Sequence, residues 1–143
     1  MITVRDVLDS KGREVWSVST RSTVFEALEM MSQRRAGALM VVEGGKLVGV
    51  ISERDYARKV VLAGKNSRET AVGDIMTSKV YYVSPDHRIE ECMALMTDKS
   101  VRHLPVLEGG RLEGVVSIGD VVKAVISHQE FIIEQLEHFI AGR

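Results

Sequence analysis

Apolar and polar positions along this chain follow one pattern, and the pattern occurs twice. Val24, Ala27, Leu28 and Met31 fall at i, i+3, i+4 and i+7, one face of an amphipathic helix. Thr23 and Glu26 have the spacing of a capping box at its start, and Gly37 reads as its stop. Two compact β-rich runs follow, residues 39–42 and 47–51, joined at Gly44-Gly45, a dipeptide suited to a tight hairpin turn. A short strand over 15–18 precedes the helix. A second helix from Glu53 to about Leu62, ending near Gly64, follows the hairpin. The predicted order is β-α-β-β-α.

The same order returns with Ile89, Cys92, Met93 and Met96 on a helix, then residues 104–107, Gly109-Gly110 and residues 112–116. Val15 aligns with Val80 and Ala63 with His128 at a constant offset of 65, without a gap, and about sixteen of roughly forty-nine positions are identical. TVRDVL at 3–8 is echoed by AVGDIM at 71–76, now offset by 68. This is a tandem duplication. Three short strands make a poor domain alone, so the two units are expected to pack on each other about a pseudo-two-fold axis. In chain order the expected divisions are a lead-in to the first unit (1–14), the first unit (15–64), a connection and second lead-in (65–79), the second unit (80–127) and a C-terminal amphipathic helix (128–143). The fold class is α/β in the broad, α+β sense. On the last helix Ile132, Leu136, Phe139 and Ile140 share a face that must bury against the N-terminal segment or a second subunit, which points to a dimer.

Composition narrows the classes of function. A chain of 143 residues with 45% hydrophobic and 27% charged residues suits one ordinary domain or two small halves sharing a core. The net charge of −1 argues against nucleic acid and anionic membrane surfaces as partners. One cysteine, Cys92, excludes an internal disulfide and fits a reducing, cytoplasmic setting. No run reaches the length of a membrane span, and the first residues lack a signal peptide's apolar core. His87, His128 and His138 lack metal-ligand spacing, and no nucleophile–base pair, phosphate loop or zinc signature appears, so neither a metal site nor an enzyme is expected. Glu90-Glu91 points to opposite sides of a helix and does not suit paired-carboxylate catalysis.

The chemistry concentrates where each hairpin ends. GVISERD (49–55) and GVVSIGD (114–120) run from an apolar strand into a serine, then an aspartate three residues on, then a helix. Ser52 and Asp55, like Ser117 and Asp120, therefore sit at a helix N-terminus, where free backbone N–H groups and the dipole favour anions and polar ligands. The same spacing is also a plain capping box that needs no ligand.

With the duplicated unit, HLPVLEGGRLEGVVSIGDVVKAV and a lead-in ending in DIMT, the chain resembles a tandem pair of CBS (cystathionine-β-synthase-type) domains, a Bateman module, over nearly its whole length. The resemblance implies a stand-alone sensor of adenosine-containing ligands (AMP favoured, with ADP, ATP, NAD or S-adenosylmethionine possible), homodimeric and signalling to a target protein in trans. It implies ribose-binding roles for Asp55 and Asp120, with Ser52 and Ser117 beside ribose and phosphate. It also implies that each ligand uses residues of the opposite unit: Ser84, Pro85, Arg102 and His103 with Asp55, and Ser19, Thr20, Gly37 and Ala38 with Asp120. Arg54 and Arg58 add cations on the Asp55 side, whereas Gly119 stands in Arg54's place on the other and Gly37-Ala38 in place of Arg102-His103. A phosphate tail is therefore expected to favour the Asp55 site, because arginine–phosphate contacts are strong and bidentate. Arg54 and Arg58 also fit a solvated i,i+4 face. The other reading that stays open is a dimeric interaction scaffold with degenerate ligand sites.

Overall fold

A computed structural model describes residues 1–141. The elements in chain order are α1 (Val4–Lys11), β1 (Ser17–Val18), α2 (Val24–Arg34), β2 (Ala38–Glu43), β3 (Lys46–Ser52), α3 (Glu53–Tyr56) continued by a π-helical turn (Ala57–Val61), α4 (Val72–Ile75), α5 (Ile89–Lys99), β4 (His103–Glu108), β5 (Arg111–Ser117) and α6 (Ile118–Ile140). The fold is α/β, with one sheet in the order β1-β2-β3 and a second of β4-β5.

The chain forms two compact units, and their membership crosses the repeat. One contains Glu14–Tyr81 with Gly109–Leu112; the other contains Met1–Arg13, Tyr82–Glu108 and Glu113–Arg143. Each lead-in thus clusters with the other copy of the duplicated sequence. The backbone hydrogen bonds say how. Thr70 O, Ser22 O and Thr20 O accept from the N–H groups of Val24, Val72 and Gly73. At the equivalent positions of the other unit, Ile2 O, His87 O and Pro85 O accept from Ile89, Val4 and Arg5.

In the first of these units α2 presents Val24, Ala27 and Met31 to a core completed by Leu39, Val41, Ile51, Val60, Val72 and Ile75. Thr23 caps α2 as its spacing predicts, its Oγ1 accepting from the Glu26 amide at 3.1 Å. The helix ends at Arg35, in the left-handed conformation, two residues before the expected stop at Gly37. Its equivalent Ser100 ends α5 in the same way. The hairpin pairs Leu39 with Ile51 and Val41 with Gly49, and Gly44 and Gly45 both take positive φ as a two-residue turn demands. The strand expected over 15–18 is the two-residue β1, parallel to β2.

In the other unit the buried residues are Val4, Val7 and Leu8 from α1, Ile89, Cys92 and Met96 from α5, and Val83, Leu104, Val106, Val116 and Val121. The first strand of this half reduces to one parallel bridge, Val83 with Val106. Two expectations change here. The helix after Ser117 and the C-terminal helix are one element, α6, of 23 residues. Its face of Ile132, Leu136, Phe139 and Ile140 is not buried by the N-terminal segment: these side chains are 43%, 56%, 83% and 82% exposed.

Candidate functional site

Both motif segments fold into the same local device. Ser52 Oγ accepts from the Asp55 amide at 3.2 Å, and Asp55 Oδ2 accepts from the Ser52 amide at 2.9 Å, a complete capping box. Ser117 and Asp120 repeat it at 3.2 and 2.8 Å. The glycine that opens each motif is imposed by packing. A Cβ on Gly49 would lie 2.6 Å from Met76 Sδ and 3.0 Å from Thr77 O; one on Gly114 would lie 2.8 Å from Leu8 Cδ2. Met76 and Leu8 are equivalent lead-in residues, so each exchanged lead-in presses on the motif glycine of its unit.

The two aspartates differ in what else holds them. Asp55 is buried, and its Oδ1 accepts from Thr77 Oγ1 at 3.1 Å and meets Lys59 Nζ at 3.1 Å. Lys59 also donates to Ile75 O at 3.0 Å. Asp120 Oδ2 lies 2.6 Å from Lys11 Nζ, which also donates to Val115 O at 2.9 Å. Burial pushes the Asp120 carboxyl up, but the Lys11 hydrogen bond and the Ser117 amide outweigh it and hold the group below its usual range. Each carboxylate therefore carries its own lysine. The expectation that the Asp120 side has little side-chain cation is corrected by Lys11, which the lead-in helix delivers from 109 residues away.

The remaining predicted residues divide between the units. Ser19, Thr20, Gly37 and Ala38 lie with Ser52, Arg54, Asp55 and Arg58; Ser84, Pro85, Arg102 and His103 lie with Ser117, Gly119 and Asp120. Within the units, the structure brings second-strand residues to the motif of their own half. Ala38 is the register partner of Ser52, and Gly37 O accepts from the Glu53 amide at 3.1 Å. Arg102 O accepts from the Ile118 amide at 2.9 Å in the same way. Ser19 and Ser22 close a small turn through mutual contacts at 3.2 Å. Ser84 and His87 are their equivalents, with His87 Nδ1 accepting from the Ser84 amide at 2.8 Å. Arg54 and Arg58 are exposed.

Four site residues were missed by the sequence reading. Glu43 Oε1 accepts from both the amide and the hydroxyl of Thr20, at 2.7 and 2.5 Å, and these bonds lower its pKa. Lys59 was legible as an i+4 partner of Asp55. Thr77 and Lys11 carried no local signal. Burial, with Glu91 and Glu90 adding to it, pushes the Cys92 thiol up to about 11, so it rests as an inert packing group. Among the described residues no cluster of three His, Cys, Asp or Glu side chains can hold a metal, and no helix is long and apolar enough to cross a membrane.

The CBS-domain family model matches residues 4–62 and 72–127, taking in both lead-ins and both motifs. The chain belongs to the CBS-domain family. It is 41% identical over 150 residues to the mitochondrial CBS domain-containing protein CBSX3 of Arabidopsis thaliana, covering 98% of this chain and 72% of that one. A signal-transduction protein with CBS domains from Burkholderia ambifaria MC40-6 superposes with a TM-score of 0.87 at 49% identity, over 90% of this CBS pair and 96% of its own chain. The CBS domain pair of protein MJ0100, solved in complex with 5′-methylthioadenosine and S-adenosyl-L-methionine, shares the fold with a TM-score of 0.77 at 22% identity, over 90% of this chain and 98% of its own.

Proposed function

We propose that this CBS pair is a regulatory module that binds adenosine-containing ligands and passes their presence to a target protein in trans. The observation that carries the reading is the complete Ser-x-x-Asp box at a helix N-terminus in both halves, inside the segments that match the family. In this reading Asp55 and Asp120 accept from ribose hydroxyls, with the Ser52 and Ser117 hydroxyls beside them. AMP is the favoured ligand, with ADP, ATP, NAD and S-adenosylmethionine as alternatives. The complex of MJ0100 supports the ligand class. The role is regulatory rather than catalytic, in a homodimer, in a reducing compartment such as the cytoplasm.

Lys11 and Lys59 alter the expected inequality between the sites. Each can leave its aspartate for a phosphate when ribose takes the carboxylate, so both sets own a mobile cation, and Arg54 and Arg58 add to the Asp55 set. The test is a thermal-shift panel with AMP, ADP, ATP, NAD and S-adenosylmethionine on the wild type, Asp55→Asn and Asp120→Asn. Ligand at a hundred times its Kd stabilises by about 2.7 kcal/mol. A shift with one or more of these compounds, removed by one substitution, supports the sensor and names the working aspartate. No shift with any of them at millimolar concentration leaves a structural capping box and favours the interaction scaffold.

A further inference from the structure

The two motif aspartates share a capping box but differ in how far their acceptor sites are filled. A carboxylate offers about four lone-pair sites, and Asp55 uses that many. Its Oδ2 accepts from the Ser52 amide at 2.9 Å and the Ser52 hydroxyl at 3.1 Å, and its Oδ1 takes Thr77 Oγ1 and Lys59 Nζ, both at 3.1 Å. Asp120 is bonded on one oxygen alone. Its Oδ2 accepts from the Ser117 amide at 2.8 Å and from Lys11 Nζ at 2.6 Å, with the Ser117 hydroxyl adding a weaker pull on the carboxylate. Among the described residues no hydrogen bond reaches Asp120 Oδ1. The Asp120 side chain is also the more open of the two, 22% exposed against 11% for Asp55.

Two substituted positions make the difference. The equivalents of Thr77 and Lys59 in the other half are Asp9 and Ala124. Asp9 is a carboxylate paired with Arg13, and Ala124 has no side-chain donor. The donors on Asp55 are also tied elsewhere. Lys59 Nζ donates to Ile75 O at 3.0 Å, and Thr77 exchanges backbone hydrogen bonds with Val50 at 3.0 and 2.9 Å. A ribose diol reaching Asp55 must therefore displace two donors that fasten the second lead-in to the motif strand and helix. At Asp120 it meets an open oxygen and one partly exposed lysine, which can swing from Oδ2 and keep its bond to Val115 O.

We infer that adenosine-containing ligands load the Asp120 site first, and that Asp55 serves chiefly as a tie holding residues 75–77 to their unit. This rests on the nucleotide reading, and it reverses the order expected from Arg54 and Arg58. The gain those arginines offer a phosphate comes only after the cost of opening Asp55.

Isothermal titration calorimetry of the full chain with AMP, and then with ADP, ATP, NAD and S-adenosylmethionine, tests it. The wild type is expected to bind one equivalent of at least one of these compounds per chain about tenfold or more tightly than any second. Asp120→Asn should weaken that tight step about tenfold or more. Thr77→Val frees one acceptor on Asp55 and should tighten the weaker step about tenfold, the worth of one hydrogen bond to a charged group. Without ligand, Asp55→Asn should lower the urea midpoint further than Asp120→Asn, because it disturbs more contacts. Circular dichroism confirms that the titrated variants fold. Two equal steps in the wild type, loss of the tight step through Asp55→Asn rather than Asp120→Asn, or no tightening by Thr77→Val would each overturn the inference and leave the sensor reading standing. No binding of any of the five compounds at millimolar concentration would overturn both.

Discussion

The two motif helices start from the same capping box and then part. After Ser52 the chain makes four α-helical residues and a five-residue π-helical turn, closed by Gly64 at φ 71°. After Ser117 the helix runs unbroken for 23 residues. The position equivalent to Gly64 is Gln129, a good helix former, and beyond it Asn66 and Ser67 are matched by Phe131 and Ile132. A helix start is thus a local device that duplication copies intact. Its end depends on a few later residues, and those have diverged. One copy of the helix stays inside its unit; the other has become a surface of its own.

The largest effects should come from the lead-ins that press on the two motif glycines. Leu8 is 1% exposed against Gly114, and Leu8→Ala should lower stability by about 2–4 kcal/mol in urea unfolding, the range for a buried leucine cavity. Met76→Ala, at the equivalent but partly exposed position, should cost clearly less; equal costs would mean that the two lead-ins are held alike. Gly49→Ala should cost about 1–3 kcal/mol. It should exceed Gly114→Ala, because Thr77 O is backbone tied to Val50, whereas Leu8 Cδ2 can turn aside.

Gln129→Gly transfers the stop of the first half to the second. It should cost about 1 kcal/mol in helix propensity and reduce far-ultraviolet ellipticity by fraying the turns beyond it. Unchanged ellipticity would show that the C-terminal turns are held by something other than helix continuity.

The smallest effect concerns Asp120. Its pKa is lowered in the folded chain, so its contribution to stability is present above the unfolded value of roughly 3.9 and is lost as pH falls through the folded value. Lys11→Met removes a contact that lowers that pKa. It should cost on the order of 1 kcal/mol near neutrality, since both side chains are partly exposed, and the difference from wild type should shrink to nothing as acid protonates the carboxylate. A difference that persists at pH 2 would assign the Lys11 effect to its bond with Val115 O and to packing.

Much of this architecture is legible from residues alone. The hairpins announce themselves in Gly44-Gly45 and Gly109-Gly110, the capping boxes in Ser-x-x-Asp, and the duplication in a constant offset, because each depends on neighbours within a few positions. The stop of α2 was misplaced because Gly37 offers positive φ at low cost, yet Arg35 takes the left-handed turn when the core fixes where the helix must leave. The lysines on the two aspartates show the limit most clearly. Lys59 lies four residues from Asp55 on the same strip of helix, within reach of a sequence argument. Lys11 reaches Asp120 only because α1 packs against the second motif.

What the sequence by itself determined is the repeated unit, its turns and caps, the two aspartates and the apolar face of the last helix, since local propensity and periodicity encode all of them. Only the tertiary structure decided that the lead-ins are exchanged, that each motif glycine is the bed of the other copy's lead-in, and that α6 is one continuous helix whose apolar side chains beyond Gln129 stay exposed. The reason is physical. The two lead-ins make the same three backbone hydrogen bonds, each to the other copy, and main-chain bonds of this kind carry no side-chain preference, so the choice falls to packing across the whole chain.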